Sequence, residues 1–345
     1  MKKNVLVLFG GISSEHEISC ISASNVIENL NKSKYAIKNI GIDKKGNWYY
    51  YSGNIQNIRN GMWNNDLINK KFVENIPNEL KKYDVVFPVL HGKYGEDGTL
   101  QGLIEQAGVK YVGCKVLGSS IAMDKTLSKE LVSSLGIDVV PYLNLKSSEF
   151  YSKDFNYDEF LEIIEKNIYF PLIVKPNQEG SSYGVCKVNN KNELFGIIDY
   201  VFSFDKEILI EKYINSKKEV ECSVLENVTK NKIYVSTPGE VAISNDVYDY
   251  SSKYEDLKTD ILIPATISNE QTIKIKEYSR KIFKKLRLNS LARIDFFVTK
   301  DKVYFNEVNS MPGFTSKSMY PMLIKADGIS YQMLLDILIL NSIEE

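Results

Sequence analysis

Two strand-like runs near the C-terminus constrain this chain more than any other part: Leu291–Phe297 and the stretch from Phe305 to Phe314. Both are rich in aromatic and β-branched residues, and the polar link Thr299-Lys300-Asp301-Lys302 lies between them. Side chains two apart on a strand share a face, so Arg293 goes with Asp295, and Glu307 with Asn309. A hairpin loop of about three residues would set Asp295 opposite Glu307 and Arg293 opposite Asn309. Facing carboxylates repel unless a cation lies between them. Oxygen donors of this kind suit Mg²⁺ with phosphate oxygens. Taken alone, the pattern fits a charged surface hairpin with a salt bridge equally well.

At 345 residues, 43% of them hydrophobic, the chain has room for two or three domains with cores of their own. Its formal net charge of -1 gives no global field for nucleic acid or an anionic membrane. Cys20, Cys114, Cys186 and Cys222 form no CxxC pair, which argues against zinc and disulfides and for reduced thiols in the cytoplasm. The apolar run Asn4–Phe9 is too short for a signal sequence and ends in Gly10-Gly11. No segment is apolar for long enough to span a bilayer.

Along the chain, residues 4–9 read as a buried parallel strand, followed by a glycine turn and a helix from about Glu15 to Leu30 that Ser13 or Ser14 can cap. That order opens an α/β sheet whose ligands lie beyond the strand carboxyl ends. Glu15 there is either a partner of the helix dipole or an anchor for a ligand amine. Ile37–Ile42 suggests a second strand; residues 44–80 read as strand and loop with few caps. The buried strand Asp84–Leu90 runs into His91-Gly92-Lys93-Tyr94-Gly95-Glu96-Asp97-Gly98, which places His91 in the same crevice as Glu15. Cys114–Ser120 reads as a bend, Ile121–Leu135 as a helix, and residues 147–168 as another.

The strand ending in Lys175 leads into Asn177–Val185, a Gly/Ser loop that can fold over phosphates and can equally be a hairpin turn. It lacks the Gly-Lys-Ser/Thr ending of a P-loop. Lys175 is costly to bury without an anion, so with Lys125 it is a candidate phosphate clamp. Glu211, at the end of the strand from Glu207, is a candidate acceptor for an exocyclic amine. Glu219 and Glu221 share one face of the next strand. Residues 240–263 have no regular period and read as a lid.

With these pieces in view, the chain resembles the D-alanine–D-alanine ligases of the ATP-grasp superfamily. The residues that carry the resemblance are Gly10–Glu17, His91–Gly98, Met123-Asp124-Lys125, Val174-Lys175-Pro176 with Glu179–Ser182, Tyr248-Asp249-Tyr250 with Lys253-Tyr254, Arg293-Ile294-Asp295, and Asn306–Asn309 with Pro312–Thr315. They span nearly the whole chain, in order. The resemblance implies an α/β protein, α+β in its ATP-binding part. Its parts would be an N-terminal open parallel-sheet domain (1–121), a central ATP-grasp subdomain (122–213) and a C-terminal one (214–345) that carries the lid. It also implies ATP-dependent joining of two D-alanines through an acyl phosphate, two Mg²⁺ ions that Mn²⁺ could replace, and a homodimer.

Residue by residue, the resemblance gives Lys125 and Lys175 the ATP phosphates under the loop Glu179-Gly180-Ser181-Ser182. Glu211, Tyr213, Ile214 and Glu219 would hold adenine and ribose, and Asn306 would join this group. Asp295, Glu307 and Asn309 would bind the metal. Glu15 would take the first ammonium, with His91 nearby. Lys253 and Ser318 would meet the second carboxylate, beside Met319. Arg293 and the Gly313 N–H would stabilise the oxyanion, and Glu15, Ser181 and Tyr254 would tie down the lid. Relatives that use D-serine or D-lactate as second substrate change the lid and the loop near Ser318. An extra residue precedes Glu219, which departs from the usual spacing. The rival readings are another ATP-grasp ligase, expected to lack the Glu15/His91/Ser318 set, and an inactive ATP-binding scaffold, expected to have lost one of Lys175, Arg293, Asp295 or Glu307.

Overall fold

The computed structural model describes residues 2–215, 217–227, 232–242 and 260–344. Lys253, Tyr254 and most of the expected lid lie outside them.

Strand β1 (Lys3–Gly10) pairs in parallel with β2 (Tyr35–Ile42) and with β5 (Val85–Pro88). Strands β3 (Trp48–Tyr51) and β4 (Lys70–Phe72) extend that sheet antiparallel, in the order β4-β3-β2-β1-β5. Both faces of β1 are covered, so its unbroken apolar run is fully buried. Val5, Val7 and Phe9 face α1 (His16–Asn29) and the C-terminal helix Tyr331–Glu344. Leu6 and Leu8 share the opposite core with Leu100 and Ile104 of the helix Thr99–Gln106. Each fully buried aliphatic side chain contributes roughly 1.5–3 kcal/mol.

Three local expectations need correction. Residues 44–80 hold two short helices, α2 (Ile55–Arg59) and α3 (Ile76–Leu80). Asparagines cap both: Gln56 N donates to Asn54 Oδ1 at 2.9 Å and Asn78 N to Asn75 Oδ1 at 3.1 Å. The stretch read as a bend, Cys114–Ser120, is mostly helix. After α4 (Thr99–Gln106), α5 spans Val116–Met123 and α6 spans Lys125–Ser133, with Asp124 capping the second. Gly118, inside this helix, serves packing, since a Cβ there would lie 2.5 Å from the Arg287 carbonyl oxygen. Residues 147–168 form two helices, α7 (Ser147–Phe150) and α8 (Tyr157–Asn167), the second capped by Asn156.

A four-stranded antiparallel sheet follows: β6 (Tyr142–Lys146), β7 (Leu172–Pro176), β8 (Cys186–Val188) and β9 (Glu207–Lys212), in the order β6-β9-β7-β8. Val174, Ile208 and Ile210 face α8 and α9 (Lys191–Val201) in one core. Alternation therefore sends Ile173, Lys175 and Glu211 to the other face, with Ile173 and Glu211 paired across β7 and β9.

The third sheet contains β10 (Lys218–Asn227), β11 (Lys232–Val235), β12 (Gly239–Ala242), β13 (Asp260–Leu262), β14 (Leu291–Val298) and β15 (Val303–Asn309). Its order is β13-β12-β10-β14-β15, with β11 also on β10. The helix Asn269–Lys285 covers one face, where Ile275, Ile282 and Phe283 meet Val220, Cys222, Ile294, Phe296 and Phe305. Among the described residues, no helix is long and apolar enough to cross a membrane.

The β14–β15 pairing is the expected one, reached by a different route. The link between Val298 and Val303 is four residues long, and the register slips by one residue between Asp295 and Phe296. Asn306 is the extra residue of this bulge. A bulge inverts side-chain parity beyond it. Val303 and Phe305 therefore face the core before it and Val308 after it. Asn306 and Glu307 both line the opposite side. Without the bulge, Glu307 would point into the core.

Candidate active site

The free faces of the four-stranded and six-stranded sheets line a cleft between them. It brings together Lys125, Lys175, Glu179, Ser182, Glu211, Tyr213, Ile214, Glu219, Asp295, Asn306 and Glu307. The two walls differ in charge.

The first wall is basic. Lys125 Nζ donates to the Glu179 carbonyl oxygen at 2.6 Å, which ties α6 to the Gly/Ser loop. Lys175 Nζ lies 2.8 Å from Glu211 Oε2, and Lys129 Nζ lies 2.9 Å from Glu211 Oε1. Glu211, expected to accept from an exocyclic amine, thus has both carboxylate oxygens on lysines. Burial raises its carboxyl, but the two ammoniums overcome that and hold it down at about 2. Lys129 escaped the sequence reading. Its position one helical turn after Lys125 was the available signal.

The second wall is acidic. Glu221, Asp295 and Glu307 pair across β10, β14 and β15, so three carboxylates form one row. Ser223, Arg293 and Asn309 form the next. Arg293 grips Asp295 with two bonds, Nε to Oδ1 at 2.8 Å and Nη2 to Oδ2 at 2.7 Å. Its Nε also lies 2.7 Å from Glu221 Oε2. Asn309 Nδ2 donates to Asp295 Oδ2 at 3.1 Å. Glu221 has no role in the sequence reading beyond sharing a face with Glu219, which was its signal.

A metal suits this wall only together with other oxygen ligands. Among the described residues, no group of three or more His, Cys, Asp or Glu side chains is arranged to hold an ion. However, Mg²⁺ is usually held by one or two carboxylates plus phosphates and waters. Asn306 lines the cleft, and its Oδ1 is a buried acceptor with no hydrogen-bond partner. The donor set Asp295, Glu307, Asn306 and Asn309 therefore fits Mg²⁺ brought in with a phosphate ligand.

Beyond the Gly/Ser loop lies a second centre. Ser181 Oγ donates to Glu15 Oε1. A Cβ on Gly180 would lie 2.7 Å from Glu15 Oε2, so the loop backbone rests directly on that carboxylate. Glu15 is the first half-helical residue of α1 and has no side-chain cap; Ser13 Oγ instead accepts from Glu15 N at 3.2 Å and donates to the His91 carbonyl at 2.7 Å. The expected Ser13 or Ser14 cap is thus spent on joining two loops.

His91 is buried with both ring nitrogens engaged, Nδ1 with the Met311 carbonyl and Nε2 with Ser22 Oγ, each at 3.1 Å. Burial lowers its pKa, and the nearby Glu15 charge offsets part of that. Glu96 bonds to the same loops: Gly92 N donates to Oε2 at 2.6 Å and Met311 N to Oε1 at 3.1 Å. Burial first, then the Glu15 charge, pushes its carboxyl up to about 8. The Arg293 charge reaches both His91 and Glu96, so it links this centre to the acidic wall.

Gly313 and Ser318 are adjacent, with Ser318 Oγ 2.6 Å from where a Gly313 Cβ would lie. Ser318 Oγ accepts from Thr315 N at 3.0 Å. Met319 is buried with Val241 and Leu323. Of the residues expected to form the lid triad, Glu15 and Ser181 are joined and Tyr254 lies outside the described residues.

The comparisons agree with this geometry. Two family models match, D-ala D-ala ligase N-terminus over residues 4–114 and D-ala D-ala ligase C-terminus over residues 131–340. A D-alanine–D-alanine ligase from Acetivibrio thermocellus is 44% identical, with 98% of this chain and 95% of that protein covered. Among solved structures, the VanG D-Ala:D-Ser ligase from Enterococcus faecalis is 40% identical, with a TM-score of 0.87, 99% of this chain and 100% of that one covered. The D-alanine–D-alanine ligase from Bacillus anthracis complexed with ATP is 31% identical, with a TM-score of 0.75 and coverage of 99% and 98%. With both halves matched in order and a cleft walled by lysines on one side and carboxylates on the other, the chain belongs to the D-ala D-ala ligase family.

Proposed function

We propose that this protein joins two D-alanines to D-alanyl-D-alanine at the expense of ATP, for the synthesis of peptidoglycan precursors. The observation that carries this is the β15 bulge. It turns Glu307 to face the same cleft as Asp295, opposite Lys125 and Lys175. A cleft with cations on one side and carboxylates on the other suits a polyphosphate with its divalent ions.

ATP lies between the two sheets. Lys125, Lys175 and the loop Glu179–Ser182 take its phosphates, while Glu211, Tyr213, Ile214 and Glu219 border adenine and ribose. Asp295, Glu307 and Asn309, with Asn306 close by, would hold two Mg²⁺ ions, for which Mn²⁺ could substitute, and the bound ions would supply charge compensation for the transferring phosphoryl group. Glu15 receives the ammonium of the first D-alanine, which brings its carboxylate toward the γ-phosphate. A carboxylate oxygen attacks phosphorus and ADP leaves. The amine of the second D-alanine, held near Ser318 and Lys253, then attacks the acyl carbon. Arg293 and the Gly313 N–H stabilise the tetrahedral oxyanion, one such donor contributing roughly 3–4 kcal/mol. Phosphate departs and the amine gives up its proton. Acyl phosphates hydrolyse in open water, so the reaction needs a closed site; the segment expected to supply a lid, with Lys253 and Tyr254, lies for the most part outside the described residues.

The division into 1–121, 122–213 and 214–345 draws support from the three sheets, one in each part. A homodimer located in the cytoplasm completes the reading; the free cysteines are compatible with that compartment. A D-alanine–D-serine ligase is the second reading, favoured by the likeness to the D-Ala:D-Ser enzyme; D-lactate is a further candidate for the second subsite. ADP and phosphate release that depends on D-alanine tests the first reading, and no turnover with any D-amino acid would sink it. A higher kcat/KM for D-serine than for D-alanine as second substrate would favour the second.

A further inference from the structure

Lys129 is a charged residue with no access to the site. It projects from α6, is 0% exposed and does not line the cleft. Its surroundings are the Tyr142 ring at 6.0 Å, the Phe305 ring at 5.9 Å and Glu211 Oε1 at 2.9 Å. An apolar side chain of that length would be cheaper at such a position, because desolvating an ammonium is rarely recovered from one carboxylate. In keeping with this, burial pulls Lys129 down to about 8.

The charges run Lys129, Glu211, Lys175, with the carboxylate in the middle; Glu211 and Lys175 line the cleft and Lys129 lies behind them. If Glu211 had Lys175 as its sole partner, the two would form a closed pair. Moving Lys175 to a phosphate would then leave a buried carboxylate uncompensated, and that is strongly unfavourable. With Lys129 in place, Glu211 stays paired while Lys175 moves. We propose that Lys129 is a positioning residue for ATP binding: it keeps Glu211 neutralised from behind, so that Lys175 is available to the ATP phosphates. This rests on the reading of Lys175 as a phosphate contact.

The test is calorimetric titration of the full chain with ATP in the absence of D-alanine, so that no turnover intervenes. Lys129→Met should weaken ATP binding by at least roughly tenfold. With each affinity referred to Glu211→Gln alone, which carries any loss of Glu211's own contact with the nucleotide, adding Lys129→Met should cost little, because no carboxylate is left to compete for Lys175. In a Lys175→Met background, Lys129→Met should have no further effect. Wild-type affinity in Lys129→Met, or the same loss from Lys129→Met in the Glu211→Gln background as in wild type, would overturn the proposal. If Lys129→Met fails to fold, a folded, ATP-binding Lys129→Met/Glu211→Gln protein supports it and an unfolded one overturns it. Unchanged affinity in Lys175→Met alone would instead overturn the phosphate reading, and the proposal with it, through a separate variant.

Discussion

The two walls of the cleft are near mirror images in charge. On the basic side, Lys129 of α6 and Lys175 of β7 enclose one carboxylate, Glu211 of β9. On the six-stranded sheet, Glu221 and Asp295 enclose one guanidinium, Arg293, with Glu307 alongside. Each wall thus keeps its excess charge in place with a buried ion of opposite sign. The lesson is that the site is preorganised by internal ion pairs. These are poor sources of stability, but they hold long side chains where a ligand of either charge would need them. The difference between the walls lies in what must be released on binding. On the proposed reading, the basic wall would have to free a cation for phosphate. The acidic wall would have to free Asp295 for a metal while keeping Arg293 in place, and Glu221 pairs with Arg293 so as to retain it.

This comparison can be broken, and the largest effect should come from its centre. Arg293→Met removes the guanidinium that pairs with both Asp295 and Glu221 and leaves these two carboxylates facing each other across β10 and β14. We expect kcat to fall by about two to three orders of magnitude and Tm to fall with it. A variant with near-normal kcat would remove Arg293 from the chemistry. Next comes Glu307→Gln, which keeps the shape and deletes one carboxylate of the proposed metal site. Turnover should drop about a hundredfold, with the fold intact by circular dichroism; unchanged kcat at limiting Mg²⁺ would count against the assignment. On the basic wall, Lys175→Met should act mainly on binding, with the KM for ATP rising roughly tenfold or more. An effect on kcat alone would mean that this wall does not grip the ground state.

The smallest effect concerns Glu96, which is set apart from both walls. Its carboxyl is raised to about 8 by burial and by Glu15, against an ordinary value near ~4.3. A group whose folded pKa is raised contributes stability that is fully present below the unfolded pKa and is lost as pH rises through the folded one. Wild type should therefore lose Tm relative to Glu96→Gln between about pH 5 and pH 9. Parallel Tm profiles for the two proteins would show that Glu96 does not titrate in this way. Glu211 has the opposite sign: with a carboxyl held at about 2, its contribution is present above the ordinary carboxylate range and is lost only toward strong acid.

Much of this arrangement was legible in the residues themselves. Period-two alternation put Asp295 beside Arg293 and Glu307 beside Asn309, and the buried run Asn4–Phe9 announced the parallel sheet. Other features depended on contacts that no local pattern encodes. The bulge at Asn306 cannot be read from Phe305–Asn309, because it is selected by which face the core helix covers. The helix in the stretch read as a bend, Cys114–Ser120, packs Gly118 on the Arg287 backbone, which lies far along the chain. His91 was placed in the crevice, yet its ring is held by Ser22 and by Met311, 220 residues away. Lys129 looked like an ordinary helix lysine until packing removed it from water. In each case tertiary contacts, which reading along the chain does not reveal, decided the outcome.

The measurement that tests the account most directly follows oxygen. D-alanine labelled with oxygen-18 in its carboxylate is turned over with unlabelled ATP, and the released phosphate is weighed by mass spectrometry. If a carboxylate oxygen attacks the γ-phosphate and the second amine then displaces it, each phosphate carries a labelled oxygen and appears together with dipeptide and ADP. Phosphate without label, or ADP formed at the same rate without D-alanine, would contradict the account.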